Sequence, residues 1–344
     1  MRIAIVNNWV PFLTGGAEHL AQALTSKLIE HGHEAILVRI PFRWEPPSKI
    51  IESMLACRLL EFANIDRLIT LKFPVYCIPH PHKIVWLLHQ FRQAYDLWGT
   101  ALQGLPDSPQ GIQIRDAIRA ADNRCLQEAR RIFTNSHITA ERLKTFNDFK
   151  SEVLFPPLLE THHFNCVAFE DFIFYPSRVN SAKRQWLAVE SMNYVTTPVK
   201  LLLAGKAEGG EAERITRVIK EHNLADRVQW LNEFIPEQAK AEYLSRALGT
   251  CYIPYDEDSY GYVTLESYSA RKPVISCIDS GGTDVLVKDQ ITGLVVPPDA
   301  RAIAEAMDRL YLDKRAARAM GEAGHNLVQD LGITWERVVE ALTQ

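Results

Sequence analysis

Short apolar runs alternate with amphipathic stretches along most of this chain of 344 residues. The first run, at 2–6, is continuous, as in a strand buried on both faces of a parallel sheet. A stretch of helical periodicity follows Gly15 and Gly16, ends near Gly32 and leads into a second run at 35–40. Because the alternation continues downstream, the pattern predicts an α/β fold built on parallel sheets.

The alternation breaks once, around 155–170, where a proline pair and two histidines stand without periodicity. We therefore expect two Rossmann-like, doubly wound domains, at 1–165 and 166–332. The final stretch, 333–344, is predicted to be a helix that crosses back to the first domain. Two such sheets would face a central cleft, and ligands of open α/β sheets bind beyond the carboxyl ends of the strands.

Charge and composition narrow the class of protein. Asp plus Glu number 42 against 38 for Lys plus Arg, so the chain lacks the basic excess that binds a nucleic-acid backbone. The six cysteines form no C-x-x-C pair and are expected to be reduced thiols. Without a long apolar run or a leader-like start, the sequence favours a cytoplasmic protein. Peripheral contact with the inner face of the membrane stays open, as does the oligomeric state.

Gly15 and Gly16 stand between the first strand and the first helix, where glycine permits close backbone approach and helix amides face an anion. The spacing is not G-x-G-x-x-G, and Arg39 rather than an acidic residue follows the second strand. A dinucleotide site is therefore disfavoured. The remaining alternatives are an anion-binding loop and an ordinary turn.

An acidic loop in the second domain joins a strand ending at Pro254 to a helix beginning near Val263. It carries Asp258, and Glu266 follows about one turn into the helix. Both carboxylates can accept hydrogen bonds from hydroxyl groups. The amides of the first helical turn would be unpaired and could hold phosphate oxygens; they belong to Tyr262, Val263 and Thr264. The alternative is an acidic surface loop and a solvated glutamate.

Two cations flank the polar loop after the first strand of the second domain. Arg178 offers a planar fork and Lys183 a point charge, which together suit an anion such as a diphosphate. Taken alone, they are equally compatible with a solvated surface loop.

His89 ends the apolar run at 84–88, where a histidine is either structural or, at a cleft edge, catalytic. Phe91, Tyr95 and Trp98 follow with helical spacing. Such a stripe indicates core packing on a helix or, alternatively, a wall for a sugar or lipid acceptor.

Together these elements resemble the retaining glycosyltransferases of the GT-B fold, specifically glycosyltransferase family 4, also called glycosyl transferases group 1. The resemblance runs over nearly the whole chain. It is carried by these segments: Gly15-Gly16-Ala17-Glu18, Thr134-Asn135-Ser136, 178–183, Ala204-Gly205, 258–266, Lys272-Pro273-Val274-Ile275, Ser280-Gly281-Gly282 and Thr292-Gly293-Leu294-Val295.

The resemblance implies roles for individual residues. The Gly-Gly loop would approach the donor phosphates, and the Arg and Lys of the second domain would bind the diphosphate. Glu266 would bind the nucleotide ribose, Asp258 would contact sugar hydroxyls, and His89 would lie beside the reacting sugar. Asp258 replaces the usual Glu, which leaves the donor preference open. Lys272 stands where the family often has Gly, and Asp284 where it often has Glu.

The implied enzyme moves a hexose-type residue from a nucleoside-diphosphate sugar, preferably a UDP-sugar, to a carbohydrate or lipid-linked acceptor. The product would serve cell-surface polysaccharide or glycoconjugate synthesis. We expect no cofactor and no metal ion, although 256–258 contains the D-x-D pattern with which GT-A enzymes hold a metal-bound diphosphate. The alternatives are a nucleotide-sugar epimerase or hydrolase and a non-catalytic nucleotide-sugar-binding protein.

Overall fold

The computed structural model describes residues 1–12, 15–100 and 102–344. The chain divides into two compact units: Met1–Leu159 with Ile333–Gln344, and Glu160–Gly332. The boundary falls at Leu159 rather than at residue 165, because Phe164 packs against an apolar core of the second unit.

The first unit contains a parallel six-stranded sheet in the order β2-β1-β3-β4-β5-β6. Its strands are β1 (Arg2–Trp9), β2 (Glu34–Pro41), β3 (Arg67–Thr70), β4 (Lys83–Leu87), β5 (Arg131–Thr134) and β6 (Glu152–Val153). Its helices are α1 (Gly16–Glu30), α2 (Ser48–Arg58), α3 (Pro109–Gln127), α4 (His137–Asn147) and, from the end of the chain, α11 (Trp335–Thr343).

Successive residues of β1 supply two different apolar cores. Ile3 and Ile5 lie in a core that includes residues of α1 and α11. Ala4 and Val6 lie in another, with residues of α2 and α3. Since neighbouring side chains of a strand face opposite sides of the sheet, helices cover both faces, which explains why this run is continuously apolar.

The helix predicted over the aromatic residues 91–98 is wrong. Only a short 3₁₀ turn forms, at Arg92–Ala94, and the backbone leaves helical geometry again at Tyr95. Tyr95 is buried with its hydroxyl bonded to Asp122, and Phe91 and Trp98 pack against the same core. The spacing of the three aromatic residues therefore reflects core packing, without a helix.

The second unit contains a parallel six-stranded sheet in the order β12-β11-β10-β7-β8-β9. Its strands are β7 (Phe172–Pro176), β8 (Lys200–Ala204), β9 (Val228–Leu231), β10 (Gly249–Cys251), β11 (Val274–Cys277) and β12 (Gly293–Val296). Its helices are α5 (Gln185–Ser191), α6 (Glu211–Glu221), α7 (Glu237–Arg246), α8 (Tyr262–Ser269), α9 (Ala300–Leu312) and α10 (Lys314–Asp330).

Each sheet has one point at which the chain reverses its direction of winding. In the second unit the chain passes from β7 through β8 to β9 and then returns to add β10 on the other side of β7. The loops that follow β7 and β10 therefore leave the same edge of the sheet side by side. In the first unit the same relationship holds for β1 and β3. Ligands of doubly wound sheets bind at such points.

All six cysteines are free thiols, and Cys166 alone among them is exposed. Among the described residues, no helix has both the length and the apolar character needed to cross a membrane.

Candidate functional site

The loops after β7 and β10 meet at Lys183. Its Nζ atom donates to the Tyr252 hydroxyl at 2.8 Å and forms an ion pair with Glu257. The Tyr175 hydroxyl donates to the Lys183 carbonyl and accepts from the Ile253 amide at 3.2 Å. The winding of the sheet thus brings a cation from one loop against a carboxylate from the other.

Arg184 fixes these two loops to each other. Its guanidinium donates to the carbonyls of Ile253 and Pro254 at 2.8 and 2.7 Å, and to both carboxylate oxygens of Asp279. The sequence predicts that this strand ends at Pro254, but β10 ends at Cys251, and the carbonyls of Ile253 and Pro254 accept from Arg184 instead. Sequence reasoning missed Arg184, since nothing in its spacing distinguishes it from an exposed neighbour of Lys183.

Gly261 permits a close approach between the start of α8 and Tyr252. Its φ is +71°, and a Cβ atom there would lie 2.3 Å from Cε1 of Tyr252. The ring therefore fits against the backbone only because residue 261 is glycine. This packing holds the Tyr252 hydroxyl beside Lys183.

Several charged side chains act on the Tyr252 phenol. Burial raises the pKa of Tyr252 well above its usual value, the negative charges of Glu257 and Glu266 raise it further, and Arg178 opposes the rise. These three groups therefore lie close enough to the phenol to act on it electrostatically. Lys183 contacts Tyr252 directly, and Arg178 and Glu266 act on it electrostatically.

Glu266 is buried and paired with Lys240 of α7 at 2.6 Å. Burial raises the pKa of Glu266, although Lys240 pulls in the opposite direction. Burial alone would lower the pKa of Lys240, but the charges of Glu266 and Glu237 outweigh it and raise that pKa. Lys240 was not expected from the sequence, because it lies on another helix, with no motif linking it to Glu266.

The prediction that the amides in the first turn of α8 are unpaired is wrong for one of the three. The Thr264 amide is not unpaired, since it donates to the Gly261 carbonyl at 3.1 Å and closes the turn. The Thr264 hydroxyl is buried without a hydrogen-bond partner among the described residues. Anion binding by the amides of Tyr262 and Val263 stays a prediction.

Arg178 is more exposed than Lys183. It pairs with Glu208 at 3.0 Å, and the two side chains are 51% and 42% exposed. The Lys183 and Glu257 side chains are 18% and 26% exposed. Each predicted diphosphate-binding cation thus contacts a carboxylate, and the Lys183 pair is the more shielded from solvent.

Glu257, rather than Asp258, is the acidic-loop residue that reaches Lys183. Asp258 is half-buried in the same loop. The backbone of this loop packs against the Gly281-Gly282 turn: the Gly282 amide donates to the Glu257 carbonyl at 2.8 Å, and a Cβ on Gly281 would lie 2.4 Å from that oxygen. Sequence reasoning missed Glu257 because the motif directed attention to Asp258.

The other residues that the sequence analysis predicts to belong to the site lie in the first unit. The Gly15 amide donates to the Glu18 carboxylate at 2.9 Å, and Glu18 pairs with Lys72, after β3, at 3.1 Å. Gly16 is the exposed first residue of α1, and residues 13 and 14 before it lie outside the described part. His89 follows β4, with Nδ1 2.8 Å from the Gln90 carbonyl.

The D-x-D residues do not form a cluster of metal ligands in the described ranges. A group of three close donors does occur elsewhere, at the exposed residues Glu160, His162 and His163, whose ligand atoms lie within 4.8 Å of one another. Neither Asp256 nor Asp258 belongs to such a group.

Residues 168–327, which span the second unit almost completely, match the family model of glycosyl transferases group 1. The second unit belongs to this family. A curated relative, a D-inositol 3-phosphate glycosyltransferase from Mycobacteroides abscessus, is 26% identical over 182 residues, which cover 52% of this chain and 40% of the relative. In eight curated relatives the match covers from 12% to 40% of the relative's length, so this chain spans less than half of each of them.

Solved structures match over the whole chain. Sucrose-phosphate synthase from Thermosynechococcus elongatus is 21% identical with a TM-score of 0.78, covering 100% of this chain and 97% of that one. HepE from Anabaena, in complex with UDP and glucose, is 15% identical with a TM-score of 0.71, covering 100% and 99%. These likenesses confirm the predicted GT-B fold of two Rossmann-like domains.

Proposed function

We propose that this protein is a retaining glycosyltransferase that moves a hexose-type residue from a nucleoside-diphosphate sugar to a carbohydrate or lipid-linked acceptor. The observation that carries the proposal is the cluster of Lys183, Tyr252 and Glu257 at the winding reversal of the second sheet. It lies within the region that matches the glycosyl transferases group 1 model. Synthesis of a cell-surface polysaccharide or glycoconjugate is the proposed setting.

Lys183 and Arg178 would bind the diphosphate of the donor. They stand on the loop after β7, and an ammonium and a guanidinium are suited to phosphate oxygens. Glu266 would accept hydrogen bonds from the ribose, since its position at the start of α8 and its charge partner Lys240 keep an oxygen acceptor in place. Asp258 would contact the sugar, as the family resemblance implies.

The chain's contribution to the reaction would be mainly electrostatic. Negative charge grows on the diphosphate as its bond to the anomeric carbon breaks, so a nearby ammonium stabilises the transition state more than the ground state. Arg178 and Lys183 are the cations placed for this in the second unit. For the first unit, the resemblance assigns Gly15 and Gly16 to the phosphates and His89 to the reacting sugar.

A UDP-sugar is the proposed donor, and no metal ion is proposed. The presence of UDP and glucose in the HepE complex supports the choice of base. Positive charge from Arg178 and Lys183 can offset the diphosphate without a bridging cation. Carbohydrate and lipid-linked acceptors both fit the proposal.

Transfer of labelled sugar from UDP-glucose, UDP-galactose and UDP-N-acetylglucosamine to a panel of glycan and lipid-linked acceptors tests this function. The expected result is a glycoside with the donor's anomeric configuration. Free sugar with every acceptor would identify a hydrolase, and an altered nucleotide sugar would identify an epimerase. Donor binding without any product would identify a non-catalytic binding protein.

A further inference from the structure

We infer that Glu257 sets the affinity of the donor site by competing with the diphosphate for Lys183. The Glu257 carboxylate pairs with the Lys183 ammonium, and a diphosphate oxygen takes over that contact when the donor binds. This inference rests on the proposed function, in which Lys183 binds the diphosphate.

The competition follows from the contacts of the Lys183 ammonium group. Nζ donates to the Tyr252 hydroxyl at 2.8 Å and contacts Glu257, and the same hydroxyl lies 3.3 Å from the Glu257 carboxylate. An incoming diphosphate would bring at least one further negative group to this ammonium. Two anions on one cation repel each other, most strongly where solvent is partly excluded.

Only the side chain of Glu257 has to move in this exchange. Its carbonyl accepts from the Gly282 amide at 2.8 Å, and its amide lies 3.4 Å from the Ser280 carbonyl. Arg184 also ties the preceding residues Ile253 and Pro254 to the loop after β7. Because the backbone is held on both sides, rotation of the side chain exchanges the partners while Lys183 and Tyr252 stay in place.

The exchange gives Glu257 a part in product release as well. After transfer, the nucleoside diphosphate remains on Lys183, and the returning carboxylate competes with it for the ammonium. Glu257 therefore lowers the affinity for donor and product alike, without touching the sugar.

The Arg178 and Glu208 pair provides a matched control, since its cation lies on the same loop as Lys183. It is also a cation facing a carboxylate, at 3.0 Å, but both side chains are about half exposed. Exposed ion pairs are screened and contribute little. Removing the Glu208 charge should therefore change diphosphate affinity much less than removing that of Glu257.

The test is calorimetric titration of the full chain with UDP. We expect Glu257→Gln to tighten UDP binding about three- to tenfold, the usual size of a close charge coupling, and Glu208→Gln to change it less than about twofold. In a Lys183→Met background, Glu257→Gln should have no effect. Glu257→Ala serves as a second variant, because the side-chain amide of the Glu257→Gln variant can still contact Lys183. Thermal unfolding verifies that each variant is folded.

Unchanged or weaker UDP binding in both Glu257 variants, with a wild type that binds UDP, would overturn the inference alone. An equal gain in the Lys183→Met background would also overturn it, since the effect would not pass through Lys183. A wild type that binds none of UDP, GDP and ADP would instead overturn the proposed function, and the inference with it.

Discussion

The Nζ atom of Lys240 lies 2.6 Å from Oε1 of Glu266, and the two side chains are only 15% and 7% exposed. The pair connects α7 to α8, so the carboxylate proposed to bind ribose also holds two helices together. Removing Lys240 would leave the buried Glu266 carboxylate without its cation, which is costly, whereas removing Glu266 leaves Lys240 paired with Glu237. The stability and the ligand affinity of Glu266 variants must therefore be measured separately.

Glu266→Ala should weaken UDP binding by roughly 1 to 3 kcal/mol, the range for a hydrogen bond to a charged group. It should also destabilise the fold, but by less than the roughly 3 to 5 kcal/mol typical of a broken buried pair, because Lys240 keeps its contact with Glu237 at 2.8 Å. Lys240→Met breaks the same pair but keeps the carboxyl group, so it should cost stability with a smaller loss of UDP affinity. Calorimetry and thermal unfolding measure the two effects, and equal losses of affinity in both variants would argue against a ribose contact.

Gly261→Ala should destabilise the protein and weaken UDP binding, because the new Cβ would lie 2.3 Å from Tyr252 Cε1 and displace its hydroxyl from Lys183. A cost of about 1 to 3 kcal/mol is typical of such overpacking. Gly209→Ala is the control, since φ there is also positive, at +58°, but no atom lies within 4 Å of the added Cβ. Similar losses in the two variants would show that backbone strain alone is responsible.

How much of this site the sequence predicts depends on how local each feature is. The loop with Arg178 and Lys183, and the start of α8, follow from strand ends and helix starts, which depend on neighbouring residues. The partners Glu257 and Lys240 come from segments distant in the chain, and only the strand order and helix packing select them. They could not be predicted from spacing.

Two predictions from the sequence are wrong, for different reasons. The spacing of Phe91, Tyr95 and Trp98 is produced by packing of the three rings against one apolar core rather than by a helix. The Thr264 amide is used by a local bond to Gly261 that depends on the backbone conformation at the start of α8. The overall fold is easier to predict from the sequence, because the alternation of apolar runs and helical stretches extends through both units.

Asp122 should make stability depend on pH. It is fully buried against the hydroxyls of Tyr76 and Tyr95, and burial raises its pKa from 3.8 to about 7. A pKa raised in the folded state favours folding at low pH, and this contribution is lost as the pH rises from about 4 through 7. Asp122→Asn removes the titration.

Thermal unfolding of the wild type and Asp122→Asn at pH 5 and pH 8 measures this effect. From pH 5 to pH 8, the free energy of unfolding of the wild type should fall by about 1 to 3 kcal/mol more than that of the variant. Because the other titrating groups are common to both proteins, their contributions cancel in the comparison. Parallel changes in the two proteins would show that Asp122 titrates near its usual pKa.

Transfer activity should survive excess EDTA. Arg178 and Lys183 provide positive charge on the loop after β7, so a diphosphate there does not require a metal bridge. A metal site at the D-x-D residues would be established by a different result. EDTA would abolish transfer, magnesium or manganese would restore it in the wild type, and neither ion would restore it in Asp256→Asn or Asp258→Asn.

The most direct test of the account is the steady-state transfer rate of Lys183→Ala with a UDP-sugar and the best acceptor from the transfer panel. If Lys183 stabilises the departing diphosphate, kcat/KM should fall by about 100-fold or more and kcat should fall with it, as when an electrostatic contact to the transition state is lost. Arg178→Ala should show a smaller decrease, since its side chain is half exposed. Wild-type kcat and kcat/KM in folded Lys183→Ala would contradict the assignment of this cluster as the donor site.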